Sequence, residues 1–322
     1  MEISTVRELV ADDLDQVNAI IRRRLASDVV LINEVGRHII DGGGKRLRPI
    51  VLLLAARACG YTGSAHYDLA AVIEFIHTAT LLHDDVVDAS ELRRGQETAN
   101  HLFGNEASVL VGDFLYSRAF QMMVDVDSMR VMRVLADATN VIAEGEVMQL
   151  LNCHDPDISE DRYLHTIRSK TAKLFEAAAQ LGGILGGQRE PVERGLIEYG
   201  ARLGTAFQLV DDVLDYSADT AAFGKNIGDD LAEGKPTLPL IHTMKTGSPD
   251  EVQVVRRSLE EGDRSGIETV VRAIESSGAI AYTQHLAEDE VAAAQRALEP
   301  LPAGIARDAL IALADFAVRR TH

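Results

Sequence analysis

Residues 68–88 read DLAAVIEFIHTATLLHDDVVD. Leu69, Val72, Ile73 and Ile76 recur three and four positions apart, the period of one helix face. The stretch therefore predicts one long helix that ends in the acidic cluster Asp84-Asp85-Val86-Val87-Asp88. The same period continues outward. Val6 to Ala26 reads as a helix, and the next stops at Asp41-Gly42-Gly43-Gly44. Pro49 opens a segment running to about Ala58, as proline favours the first helical turn. Beyond a charged loop from Ser90 to Gly95, helical patterns span Ala107–Val124, Met129–Leu150, Arg162–Leu181 and Val192–Asp215. A loop from Ser217 to Thr237 holds Gly224, Gly228, Gly234 and Pro236, and Leu238 to Arg320 is again periodic. No strand-like alternation persists, no Pro/Gly/Ser-rich linker divides the chain, and no short repeat recurs. The expectation is a single all-α domain over residues 1–322.

Composition agrees. The 322 residues are 46% hydrophobic and only 5% aromatic, with no Trp, enough apolar material for a large core. A net charge of −18 argues against nucleic-acid binding, which needs Lys and Arg to neutralise phosphates, and suits a protein that gathers divalent cations. Cys59 and Cys153 lack metal-ligand spacing and are expected to be reduced, buried thiols. The N-terminus has neither the basic nor the apolar region of a signal peptide, and the longest apolar run, Ile50 to Ala56, is too short to span a bilayer. A cytoplasmic location is expected.

A second acidic cluster, Asp211-Asp212-Val213-Leu214-Asp215, repeats the D-D-x-x-D spacing. On a helix, positions i and i+4 lie roughly 40° apart and about 6 Å along the axis. Asp84 and Asp88, and likewise Asp211 and Asp215, can share a hard cation, and Mg²⁺ prefers oxygen ligands while keeping several waters. Asp85 and Asp212 stand about 100° away around the axis, as further ligands or as supports. A solvated helix face explains one such cluster as well as metal binding does. Two clusters, each bracketed by apolar pairs such as Leu81-Leu82 and Leu209-Val210, favour metal, because partly buried like charges repel unless a cation neutralises them.

The cations are placed selectively. Gly42-Gly43-Gly44-Lys45-Arg46-Leu47-Arg48-Pro49 sets three positive charges beside a glycine turn at a helix start, and Arg93-Arg94-Gly95 follows the first cluster closely. Lys170, Lys173, Lys225 and Lys235 complete the set. No P-loop is present. Taken singly each is an ordinary surface charge; together they suggest two diphosphates, one held through Mg²⁺ and one directly by Lys and Arg. His77 lies on nearly the face of Asp84, and Gln208 lies one turn before Asp211. An unpartnered reading of either is a polar residue at a helix interface.

GGGKRLRP (42–49), LLHDDVVDASELRRG (81–95), GDFL (112–115), Lys170-Thr171, FQLVDDVLDY (207–216) and GKNIGDDLAEGKPTLPL (224–240) together resemble the trans-isoprenyl diphosphate synthases, the polyprenyl synthetase family. The likeness covers about residues 40–240. It implies an all-α isoprenoid synthase bundle around a deep central cavity, usually a homodimer. Lys45, Arg48, His77 and Arg94 would bind isopentenyl diphosphate. Asp84 and Asp88, with Asp211 and Asp215, would hold two to three Mg²⁺ on the allylic diphosphate, contacted also by Arg93, Lys170, Lys225 and Lys235. Asp85 and Asp212 belong to the same catalytic set, and Thr171 and Gln208 would face the reacting carbons. The implied reaction is Mg²⁺-dependent head-to-tail condensation of isopentenyl diphosphate onto an allylic diphosphate, with farnesyl diphosphate the expected starter. The expected product is a long all-trans prenyl diphosphate, C40 (octaprenyl), for quinone side chains, with transient membrane-surface contact at its release.

In this family a bulky residue at the fifth position before the first Asp blocks the product tunnel. Here that position is Ala79, so a short product is not expected; Ile76 and Val72 continue the same side, and Phe120, Met122 or Met123 would form a deeper floor. The other readings fit less of the chain. An HD-type phosphohydrolase could use His83-Asp84, His77 and Asp215 but needs no second D-D-x-x-D. A terpene cyclase shares the fold and one aspartate cluster but usually not both basic isopentenyl-binding elements, and a non-catalytic partner subunit typically lacks one or both clusters.

Overall fold

The computed structural model describes residues 1–42, 44–93, 95–217 and 227–320, without the Asp41 side chain. Arg94, Lys225 and Gly43 of the sequence analysis lie outside the described residues. Helices α1 (Ile3–Leu9), α2 (Ala11–Leu25), α3 (Val30–Asp41), α4 (Leu47–Ala58) and α5 (Ala65–Val87) lead into the two-residue strands β1 (Leu92–Arg93) and β2 (Gln96–Glu97). There follow α6 (Ala99–Phe103), α7 (Asn105–Asp125), α8 (Met129–Asn152), α9 (Glu160–Ile167), a π-helical turn (Arg168–Ala172), α10 (Lys173–Leu185) and α11 (Glu190–Asp215). Then come α12 (Asp229–Ala232), α13 (Leu238–Thr246), α14 (Pro249–Glu261), α15 (Ile267–Ser276), α16 (Ala279–Ala297) and α17 (Ile305–Arg319).

Three sequence readings change in detail. The first helix is two, broken at Val10. The charged loop from Ser90 to Gly95 belongs to a tight antiparallel hairpin pairing Leu92 with Glu97 and Arg93 with Gln96, too short for alternation to signal it. The segment read as one helix over Arg162–Leu181 is interrupted by the π-helical turn.

The chain forms two compact units. The first comprises Met1–Thr139, Leu174–Gly200 and Ala297–Leu313. Its core includes α4, buried at every position from Pro49 through Ala56, and the apolar face of α5, where Leu69, Ile73, Phe75 and Ile76 are inaccessible to solvent. Such an all-round apolar helix as α4 belongs in an interior. Glycine permits its closest crossing: a Cβ at Gly182 of α10 would fall 2.6 Å from the Ala56 backbone nitrogen. Cys59 is buried here, and burial pushes its thiol up to about 11.

The second unit comprises Asn140–Lys173, Ala201–Arg296 and Ala314–His322. One apolar cluster gathers Tyr216, Leu231, Leu240, Val255, Leu259 and Ile274. Another packs Ile158, Tyr163 and Ile167 of the α9 region against Leu209 and Val210 of α11 and Leu238 and Ile241 of α13. Cys153, expected to be buried, is only half-buried, because it sits at the end of α8 as the chain turns to the surface.

Candidate active site

In the first unit, α5 delivers its carboxylates at its C-terminal end. Asp84 and Asp85 occupy the last turn and Asp88 is the C-cap. The negative end of the helix macrodipole lies there, so three carboxylates are electrostatically unfavourable without a cation. Asp84 and Asp88 are half-exposed, whereas Asp85 is wholly buried. Arg93 on the hairpin grips Asp85: its Nε and Nη2 both lie within 2.8 Å of Oδ1. Among the described residues, Oδ2 of Asp85 has no hydrogen-bond partner. Burial raises the Asp85 carboxyl above its ordinary range, opposed by Arg93. The backbone supports this arrangement, since Asn100 Nδ2 donates to the carbonyls of Asp85 and Ser90.

The glycine–lysine–arginine turn lies beside the same hairpin. Gly42 leaves room for the Gln96 side chain, and His38 Nε2 is 2.8 Å from the Glu97 carbonyl oxygen. Arg46 adopts a left-handed backbone, φ 50°, an unfavourable state for a non-glycine residue. Its guanidinium is committed to the buried Glu74 and to the Ile40 carbonyl. Arg48 faces elsewhere: its Nη1 donates to His77 Nε2 at 3.1 Å, and its guanidinium lies 4.4 Å from the Phe175 ring centre. The structure thus brings Arg48 and His77 within a hydrogen bond of each other, with half-buried Lys45 three residues before Arg48. Ala79, Ile76 and Met123 are fully buried, while Phe120 is largely exposed.

In the second unit, α11 also ends in its acidic cluster. Asp211 is 44% exposed and pairs with Arg320 Nη1 at 2.7 Å. Asp215 Oδ2 accepts from the Asp230 amide at 3.2 Å. Asp212 is 1% exposed and points inward. Its Oδ1 accepts from Gln208 Nε2 at 2.9 Å, and its Oδ2 accepts from the Tyr163 hydroxyl. Burial first, then the charge of Asp230, pushes the Asp212 carboxyl up to about 8, against those two hydrogen bonds. Gln208 Oε1 in turn accepts from Thr171 Oγ1 at 3.0 Å.

Thr171 and Lys170 sit on the π-helical turn, a departure from α-helix often found at functional sites. Its packing explains it: a Cβ at Gly145 of α8 would fall 2.6 Å from the Lys170 backbone nitrogen and 2.9 Å from its Cα. Lys170 Nζ is 2.5 Å from Glu146, and Lys235 Nζ is 2.5 Å from Glu233. Arg93, Lys170, Lys235 and Arg320 each rest on a carboxylate, which fixes the direction of a long cationic side chain.

The donor set suits a hard divalent ion. Each half-exposed pair offers only oxygen, and the middle aspartates are turned away into packing. Among the described residues no three acidic, His or Cys side chains converge on one point. Water and substrate oxygens would complete the shell, as magnesium prefers.

The polyprenyl synthetase model matches residues 29–276. The chain belongs to that family. Among polyprenyl synthetase relatives, the octaprenyl diphosphate synthase of Escherichia coli (strain K12) is 56% identical over 321 residues, 99% of each chain. A polyprenyl synthase of Caulobacter crescentus CB15, solved with calcium and isoprenyl diphosphate, has a TM-score of 0.96 at 45% identity, covering 100% of this chain and 98% of that one. A decaprenyl diphosphate synthase of Rhodobacter capsulatus gives 0.93 at 46% identity, with 99% of both chains covered. The all-α fold expected from periodicity is the fold of these family structures.

Sequence reasoning missed four residues that contact the candidate side chains of the second unit. Tyr163 in α9 and Arg320 just past α17 lie far along the chain from the carboxylates they hold, in segments that read as packing. Glu146 falls within an unremarked helix face. Asp230 was quoted within the GKNIGDDLAEGK motif, and its acidic neighbour Asp229 was the only hint that it mattered.

Proposed function

We propose that this polyprenyl synthetase condenses isopentenyl diphosphate head-to-tail onto an allylic diphosphate, farnesyl diphosphate as starter, to a long all-trans product of the C40 class suited to quinone side chains. The observation that carries this reading is the division of labour among the aspartates. In each D-D-x-x-D the middle residue is buried as a support, while the outer two stay half-exposed one turn apart. Likeness to the E. coli octaprenyl enzyme supports the C40 length. One polyprenyl synthetase domain over residues 1–322 belongs to the same reading.

Asp84, Asp88, Asp211 and Asp215 would hold Mg²⁺, which when bound stabilises the charge of the departing diphosphate. Arg93, Lys170 and Lys235 bind that diphosphate directly, joined by Lys225. Lys45, Arg48 and His77, with Arg94, orient isopentenyl diphosphate so that its double bond meets the allylic carbon as the C–O bond breaks. Thr171 and Gln208 face the reacting carbons and help keep water from the allylic cation. The proton lost from the isopentenyl carbon passes to the released diphosphate, so no protein nucleophile is needed. The test is incubation with Mg²⁺, farnesyl diphosphate and isopentenyl diphosphate, with products resolved by length. Long prenyl diphosphate that disappears with EDTA is expected; absence of any elongated product would sink the reading.

Homodimerisation and a cytoplasmic location belong to the same proposal. Leu110 and Val124 of α7, and Val147, Leu150 and Leu151 of α8, are each more than half exposed, an unusual number of large apolar residues to leave in water. Among the described residues no helix is long and apolar enough to cross a membrane. Light scattering should report twice the 35.0 kDa chain mass, and replacing Leu110 and Leu151 with Glu should shift it toward one chain. A wild-type monomer would remove the dimer. Membrane contact at product release would appear as vesicle co-sedimentation that depends on added product.

A further inference from the structure

Tyr163 is the least expected member of the second unit's polar network. Its ring is packed among Ile158, Ile167, Leu209 and Leu238, in one of the apolar clusters of that unit. Its hydroxyl nevertheless ends on Asp212, and burial with that neighbour keeps the phenol protonated, well above its ordinary range. Both oxygens of Asp212 accept here, as they do in the ionised form that its two donors favour, so the network has one polarity. Tyr163 donates to Oδ2 of Asp212, Gln208 Nε2 donates to Oδ1, and Thr171 Oγ1 donates to Gln208 Oε1.

That polarity decides what the site presents. With nitrogen facing Asp212, the Gln208 amide must offer oxygen to Thr171. The Thr171 proton is then committed, and only lone pairs of its hydroxyl remain for other contacts. Helix α9, the π-helical turn and α11 are thereby tied through one buried carboxylate. Gln208 alone cannot hold this order, because its amide could rotate if the carboxylate turned.

We propose that Tyr163 is a positioning residue: its phenol locks Asp212, and through it the amide orientation of Gln208 and the hydroxyl of Thr171. The inference rests on the proposed condensation, since Thr171 and Gln208 matter through the reacting carbons. Without the phenol, Asp212 loses one of its two donors in a dry site, and its rotation releases Gln208.

The experiment is a double-mutant cycle of Tyr163→Phe and Thr171→Ala, read as kcat and KM for both substrates, with melting curves for all four proteins. Tyr163→Phe keeps the ring and its packing. Its kcat is expected to fall about tenfold to a hundredfold, the scale of lost orientation, with KM for isopentenyl diphosphate unchanged. The double variant should be no slower than the slower single one, because both act through one chain of bonds. Multiplying effects, or a Tyr163→Phe enzyme with wild-type kcat and only a lower melting temperature, would overturn the proposal. Should Tyr163→Phe fail to fold, Asp212→Asn replaces it in the cycle: the amide puts a donor where an acceptor stood, and must show the same kcat loss without additivity to Thr171→Ala. A wild-type chain that elongates nothing sinks the proposed activity instead. Coupling between Tyr163→Phe and Asp212→Asn in melting temperature would then still report the lock, and its absence would refute it.

Discussion

Asp84→Asn is expected to lower kcat by about three to four orders of magnitude while the magnesium-free protein becomes no less stable. The two effects have one cause. Asp84 stands in the last turn of α5 beside Asp85 and Asp88, where the helix dipole and its neighbours oppose its charge by roughly 0.3–1 kcal/mol. The neutral isostere relieves that opposition. During reaction the carboxylate anchors the ion that neutralises the diphosphate as its C–O bond breaks, an interaction that strengthens in the transition state. Losing about 4–6 kcal/mol of it corresponds to the stated drop in rate. The same carboxylate should make Mg²⁺ raise the melting temperature of the wild type, and the variant should lose most of that increment. Kinetics at saturating Mg²⁺ and melting with and without the ion check both parts. A variant within tenfold of wild-type kcat would remove Asp84 from the metal site.

Ala79→Tyr should convert a long-chain enzyme into a short-chain one. Ala79 is fully buried on α5, five residues and about 7.5 Å along the axis from Asp84. An isoprene unit advances a chain by four bonds, about 5 Å for bonds near 1.5 Å projected on the chain direction. A growing product passes Ala79 after roughly two units by the same measure. A phenol there should stop elongation of the farnesyl starter within about one added unit, at about C20. Overpacking would cost about 1–3 kcal/mol of stability, so the melting temperature is recorded with the product profile. A folded variant that still makes the wild-type length would eliminate the tunnel on this side of α5. Met123, buried on α7, would then need its own test as the floor.

The parts legible in the sequence are those whose cause is local. Helices α5 and α11 follow from sustained periodicity, and the outer aspartates share a side because four residues make about one turn. Arg48 and His77 were chosen from different motifs, and the structure brings them within a hydrogen bond. What was not legible depends on distant partners. The middle aspartates look identical to their neighbours in sequence, yet Arg93 claims Asp85 and Tyr163 claims Asp212. Arg46 looks like a third phosphate-binding cation, but Glu74, 28 residues on, takes it. Arg320, two residues before the last position of the sequence, has no motif around it, and its contact with Asp211 is a tertiary one.

The π-helical turn has a further consequence through Gly145. A π turn carries one more residue per hydrogen-bonded loop than an α turn, so the direction in which Lys170 and Thr171 project is a matter of local counting. What makes room for that count is the missing side chain of a residue 25 positions earlier, on another helix. The shape of the turn that carries Lys170 and Thr171 is therefore set partly by a residue on another helix. A methyl group at 145 would act like an insertion or deletion at 170, changing the phase of the helix without changing its length.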